Sequence, residues 1–321
     1  MQELIRNKNS FTFHGSGFEL FKIFITNLIL IILTLGIYYP WAKVALLRYT
    51  FKETEFARGR FTFHGEGKEI FFGWLKAIAI FIALYSLSII GELTHNDALL
   101  IVGSLILVFG IPFLLPIIIN SFLRYRLSRT SWKGIHLGYR GNVKKLFGIY
   151  VKGLILSVIT SGIYSAWFIV DLRKYVLSNI RFGNLQFSYK ANGFDLFKLT
   201  IKGLFLSIIT LGVYLPSYLR QVFDFFVTNI FVIQDGKKIQ LESRMTGWQI
   251  FVLFVKTRLA LILTLGLATP WVTIWELENI FRNIVIPEEL QADEIRQTEQ
   301  LEGNALGDEV ADFLDIELDL L

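Results

Sequence analysis

The sequence predicts a mainly α, polytopic membrane protein made of about five repeats, each a short strand followed by a helical hairpin broken at a Gly-x-x-x-Pro corner. Three observations carry that prediction. Of the 321 residues, 53% are apolar and only 18% charged, and the mean hydropathy is +0.52, whereas an average soluble chain is about 25% charged. Apolar stretches near the ~20 residues that cross ~30 Å of hydrocarbon run at about 19–38, 70–90, 99–119, 146–166, 195–215 and 248–268. One motif, Thr34-Leu35-Gly36-Ile37-Tyr38-Tyr39-Pro40-Trp41, returns in altered form at Thr160, Thr210 and Thr264.

In chain order, the first seventeen residues are mostly polar and hold no apolar core ahead of a small-residue cleavage site, so no signal peptide is expected. Phe11-Thr12-Phe13-His14 alternates apolar and polar side chains and reads as a short strand opening the first repeat, about 10–58. Glu19 then falls in the first turn of an apolar helix, where a carboxylate meets the positive end of the helix dipole; Glu69 and Asp195 recur there, with Gln249 in the last repeat. That helix ends at a corner in which Gly36 tolerates positive φ and Pro40 stops the hydrogen-bond ladder. From Trp41 about twelve mostly apolar residues lead to Arg48-Tyr49. Twelve helical residues rise about 18 Å, too little to cross. Two readings fit this arm: it climbs back as the short half of a hairpin, or it lies flat at the interface with Trp and Tyr as belt residues.

The second repeat, about 59–133, opens with Phe61-Thr62-Phe63-His64 and contains two complete apolar helices joined by the acidic turn at 91–98, before Arg124-Tyr125. It is a hairpin that leaves and returns on one side. The third (134–183), fourth (184–236) and fifth (237–286) open at Ile135, Leu185 and Ile239 and turn at the corners Gly162 with Trp167, Gly212 with Pro216, and Gly266 with Pro270 and Trp271. If every connection except 91–98 shares one side, the connecting Lys and Arg divide 25 to 0, as the positive-inside rule requires of a cytoplasmic face. Five strands on that face are then free to pair into a small cytoplasmic β-sheet. Residues 1–286 form the transmembrane domain and 287–321 an acidic cytoplasmic tail with twelve acids and one Arg. Such a tail docks on the cationic face, competes with anionic lipid headgroups for it, binds a protein partner, or stays solvated.

Candidate chemistry is sparse. With no Cys, thiolate catalysis, disulfides and cysteine metal sites are excluded. No triad or nucleophile elbow assembles, so no enzyme, catalytic residue or cofactor is expected. His14 and His64 share a Phe-Thr-Phe-His-Gly context without metal-ligand spacing, so no metal is assigned. Lys152, Lys202 and Lys256 each precede a motif Thr by eight residues, two turns into an apolar helix. There a lysine snorkels to the headgroups or lines a path through the membrane. Fourteen residues after the motif Thr stand Arg48, Lys174, Asp224 and Glu278, with Arg124 analogous; early cations facing late acids would fix which repeat sits beside which, or relay an ion. The lipid bilayer is the expected partner, and nucleic acid is not.

In combination, Phe-Thr-Phe-His-Gly at 11–15, Thr34 to Trp41, Arg48-Tyr49 and the tail run Ala305 to Phe313 resemble the YjgN-like family of bacterial inner-membrane proteins, a domain-of-unknown-function family, over essentially the whole chain. The resemblance implies a multipass inner-membrane protein and brings no established activity, cofactor or catalytic residue. Beside longer members the first, third, fourth and fifth repeats look trimmed. Two functions compete: a membrane scaffold or regulatory protein that uses its cationic strand-lined face and acidic tail, and a transporter or channel whose path is lined by Lys152, Lys202, Lys256 and the broken corners.

Overall fold

A computed structural model describes residues 9–298. The described chain runs as strand, two helices, strand, five times over: β1 (Phe11–Phe13), α1 (Gly17–Leu33), α2 (Tyr39–Glu53), β2 (Thr54–Phe56); β3 (Gly59–Phe63), α3 (Gly67–Leu93), α4 (Asp97–Ser128), β4 (Thr130–Trp132); β5 (Ile135–Tyr139), α5 (Val143–Ile159), α6 (Ser165–Ser178), β6 (Ile180–Phe182). It continues with β7 (Leu185–Tyr189), α7 (Gly193–Ile209), α8 (Leu215–Thr228), β8 (Ile230–Gln234); β9 (Lys237–Gln240), β10 (Glu242–Ser243), α9 (Gly247–Leu263), α10 (Thr269–Asn283) and β11 (Ile284–Val285). The protein is therefore mainly helical.

The small sheet of five strands expected from the sequence is instead a nine-stranded antiparallel meander in the order β1 to β9, with β10 and β11 paired apart. The difference arises because each arm of the first four hairpins ends in a strand of its own, β2, β4, β6 and β8, which pairs with the opening strand of the same hairpin or the next. Two-residue turns join the hairpins. Ala57-Arg58, Lys133-Gly134 and Asp235-Gly236 all adopt positive φ at both positions, the twist that two-residue β-hairpins need. Every hairpin consequently leaves the strand end of the molecule and returns to it.

The sheet is strongly curved. Strands four apart lie about 19 Å from each other in a flat sheet, yet the Phe56 ring of β2 meets the Phe182 ring of β6 at 6.3 Å. Phe61, Trp132, Leu185, Val232 and Ile239 share the same buried cluster on the concave side. The helices in turn form a closed circle, each packed on its neighbour along the chain and α10 packed back on α1.

Arm lengths differ. Helices α3 and α4, of 27 and 32 residues, are long and apolar enough to cross a membrane, rising about 40 and 48 Å. They approach closely, since a methyl on Gly91 or Gly103 would run into the backbone of Leu100 or Ser88. Helices α1, α5, α7 and α9 have 17 residues each, about 26 Å, and their partners α2, α6, α8 and α10 have 14 or 15.

Candidate functional site: hairpin corners, clamps and the filled cup

At each short corner one threonine serves both helices. Thr34 Oγ1 donates to the Leu30 carbonyl (2.7 Å) and accepts from the Tyr38 amide (3.0 Å), closing one helix and starting the next. Thr160, Thr210 and Thr264 repeat the pair of bonds. Gly36, Gly162, Gly212 and Gly266 follow at φ near +90°, where a side chain would be strained. The residue between is also left-handed, at φ +50° for Leu35, Leu211 and Leu265, and these leucines are 94–95% exposed. Pro40, Pro216 and Pro270 stand in the first turn of the return helix, where no amide donor is required. The corners named from the sequence thus all lie at α–α turns or return-helix starts, far along the chain from the strands.

At the opposite end, tyrosines clamp the return arms of the first three hairpins to their own strand–helix junctions. Tyr49 Oη accepts from the Ser16 amide (2.7 Å) and donates to its carbonyl (3.0 Å). Tyr125 Oη donates to the Glu66 carbonyl (3.0 Å), and Tyr175 Oη bonds both backbone groups of Asn142 (2.6 and 2.7 Å). Tryptophans tie one hairpin to the next. Trp41 lies against Gly67, Trp167 against Gly193, and Trp271 of the last hairpin against Gly17 of the first, which closes the circle; a methyl on any of these glycines would overlap the indole. After the second hairpin, which has no such Trp, the position is Val143, and after the fourth, which has Ser217 in its place, it is Gly247.

Of the five charges singled out in the sequence, Arg48 and Arg124 do reach the following hairpin, where they donate to the carbonyls of Gly65 (3.2 Å) and Gly141 (3.4 Å). Asp224 accepts from Arg220 of its own helix (3.1 Å) and from Ser243. Lys174 is exposed and Glu278 half-buried. An ion pair not anticipated from the sequence, Arg129 with Glu69 (3.0 Å from Nε), joins the end of α4 to the start of α3. Lys152 and Lys202 are exposed on α5 and α7; Lys256 on α9 sits 3.5 Å over the Trp275 ring.

The concave side of the sheet is filled by the chain itself. Ile286, Leu290, Ala292 and Ile295 are buried there among the strand residues. Gln234 of β8 exchanges two bonds with the backbone of Gln291 (both 2.9 Å), Asn9 donates to the Leu290 carbonyl (2.5 Å), Asn184 accepts from Arg296 (3.1 Å), and the His136 amide donates to Gln297 (2.7 Å). Residues 287–298, which the sequence assigns to the tail, therefore pack in the sheet; the run Ala305 to Phe313 lies outside the described residues. On the other side, His64 bonds Ser131 (2.7 Å) and its ring lies 5.7 Å from that of His136. Burial, and His64 beside it, hold the His136 imidazole below its usual value. His14 instead meets Glu55 at 2.7 Å, and among the described residues no group of three or more His, Cys, Asp or Glu side chains is placed to hold a metal.

Two long apolar helices with almost none of their residues fully buried, and leucine-tipped corners held away from a common sheet, are the features of a membrane protein built from helical hairpins. The chain belongs to the family described as a bacterial protein of unknown function (DUF898), which matches residues 8–213 and 217–313. It is similar to a protein named "Inner membrane protein YjgN" from Escherichia coli O157:H7, with 29% identity over 154 residues covering 48% of this chain and 37% of that one. Proteins of the same name from Escherichia coli strain K12 (28% over 154 residues; 48% and 37%) and Salmonella typhimurium strain LT2 (26% over 166 residues; 48% and 40%) are similar as well. The match spans well under half the length of these relatives. No solved structure matches the chain.

Proposed function

We propose that this chain is a polytopic protein of the bacterial inner membrane that acts as a membrane scaffold or regulatory protein: five copies of one strand–hairpin unit hang from a cytoplasmic sheet, and no catalytic step is assigned to it. The observation that carries this reading is the hairpin corner. Leu35, Leu211 and Leu265 hold left-handed backbone while almost wholly exposed. Strain of about 1–2 kcal/mol per residue and exposed leucine are both unfavourable in water, whereas in hydrocarbon the leucine is at home. In this arrangement α3 and α4 cross, and the four shorter hairpins enter and return; the irregular backbone at their corners closes its own hydrogen bonds through the threonines, as a low-dielectric setting demands. The names of the relatives support the inner membrane, and the 25-to-0 division of cations supports a cytoplasmic sheet that faces anionic headgroups. The sheet's concave side, occupied by the chain's own 286–298, is where a regulatory partner of the tail would act.

The chain has no Cys, so single cysteines at Thr94, Asn142, Asn192 and Gln240 report sidedness in whole cells. Only the Thr94 probe is expected to react with an impermeant reagent from the periplasm. Labelling at Asn142 or Asn192 from outside would replace the hairpins by a zigzag of spans. Replacing Lys152, Lys202 and Lys256 together by Gln, with expression intact and loss of flux for a solute, would put a transporter in place of the scaffold.

A further inference from the structure

A cavity of about 390 Å³ opens between α9 and α10, within the range of small-molecule sites, roughly 300–1,000 Å³. Its origin is legible in the hairpin pattern. Tyr49, Tyr125 and Tyr175 clamp their return arms to the strand–helix junction, but at the corresponding place in the last hairpin stands Asn279, whose amide turns to the sulfur of Met245 (3.5 Å). Asn279 lines the cavity. With an amide there in place of an aromatic ring, space remains between the two helices.

The lining has a definite chemistry. Lys256 comes from α9, stacked 3.5 Å over Trp275 of α10, and Arg282 comes from the last turn of α10, with Glu278 one turn before it. Two cations and one carboxylate leave one positive charge, which a single phosphodiester balances. Apolar Val252 and the 71% exposed Trp248 border the same space. Trp248 belongs to the first turn of α9 and Arg282 to the last turn of α10, so the cavity lies at the strand end of the hairpin, the depth at which Trp, Lys and Arg meet headgroups in a bilayer.

We propose that the α9–α10 cleft binds the phosphate-bearing headgroup of one glycerophospholipid, with Lys256 and Arg282 facing the phosphate and Val252 and Trp248 against the start of the acyl chains. The inference rests on the membrane reading above and adds a specific ligand site to it. The guanidinium suits phosphate through its fork of donors, the lysine through a compact charge.

The test uses the full chain purified from membranes in mild detergent, with bound phospholipid counted by native mass spectrometry. Wild type is expected to keep one phospholipid through detergent exchange. Lys256→Gln with Arg282→Gln should lower occupancy at least fivefold, while Lys152→Gln with Lys202→Gln leaves it unchanged. Asn279→Tyr, which restores the clamp phenol and removes no charge, should also expel the lipid without lowering the melting temperature. Equal retention by the wild type and the Lys256/Arg282 variant overturns the site, as does displacement of the lipid by glycerol phosphate at micromolar concentration, which would point to a soluble phosphate ester. If the proteins remain in the membrane fraction throughout, such a result sinks the lipid site alone; a wild-type chain recovered in the soluble fraction sinks the membrane reading with it.

Discussion

Trp271 over Gly17 is one of the contacts that close the helix circle, and a double-mutant cycle there yields a change of sign. Gly17 begins α1, and a methyl built on it falls on the Trp271 indole, whose ring also lies 5.1 Å from Phe21. Gly17→Ala therefore forces the indole aside, an overpacking cost of about 1–3 kcal/mol. Set against this, alanine in a helix is favoured over glycine by about 0.5–1 kcal/mol. Trp271→Ala removes the obstacle but loses a half-buried indole, so it destabilises by itself, at or below the ~3–5 kcal/mol of a fully buried aromatic. In that background Gly17→Ala should become neutral or stabilising by up to about 1 kcal/mol. The assay is denaturant or thermal unfolding of the four proteins in one detergent, with coupling read from the cycle. Additive costs, with Gly17→Ala equally damaging when Trp271 is gone, would refute the claim that the indole is what makes glycine necessary. Gly193 with Trp167 is expected to behave alike, whereas Gly247, which has only Ser217 at 3.7 Å, should accept alanine at no cost.

Three further outcomes follow from the same geometry. Leu290, 3% exposed in the concave side of the sheet, should cost about 2–5 kcal/mol as Leu290→Ala and raise proteolytic cleavage between 286 and 298. His136 has a depressed pKa, from 6.5, so the unfolded chain takes up its proton first; stability is full above 6.5 and falls as the pH drops through it. His136→Gln should flatten the melting temperature between pH 7 and pH 5, and an unchanged slope would remove the assignment. Leu35→Asp, Leu211→Asp and Leu265→Asp together should lower the melting temperature of the protein in lipid vesicles while α3 and α4 keep it membrane-bound, each tip acid costing up to about 2.5–3.5 kcal/mol if it reaches the bilayer centre; an unchanged melting temperature would mean that the corners stay out of the lipid.

The sequence by itself determined the features whose causes are local. Apolar runs gave helices because helical bonds close within the run, and Thr, Gly and Pro gave corners because each acts on its own few residues. Mainly helical architecture and the positions Gly36, Gly162, Gly212 and Gly266 were therefore legible. The strands β2, β4 and β6 were not, since three residues directly after a helix carry no period, though Lys133-Gly134 and Asp235-Gly236 were turn signals on hand. Nor could composition distinguish a solvated tail from one in which Ile286, Leu290 and Ile295 fill a curved sheet. Only the tertiary structure decided that Arg48 and Arg124 reach the carbonyls of the following hairpin, that Trp271 returns to Gly17, and that an asparagine at 279 lines a cavity. Each of these depends on which distant segment arrives as neighbour, and packing sets that through the shape of both surfaces, which no single segment encodes.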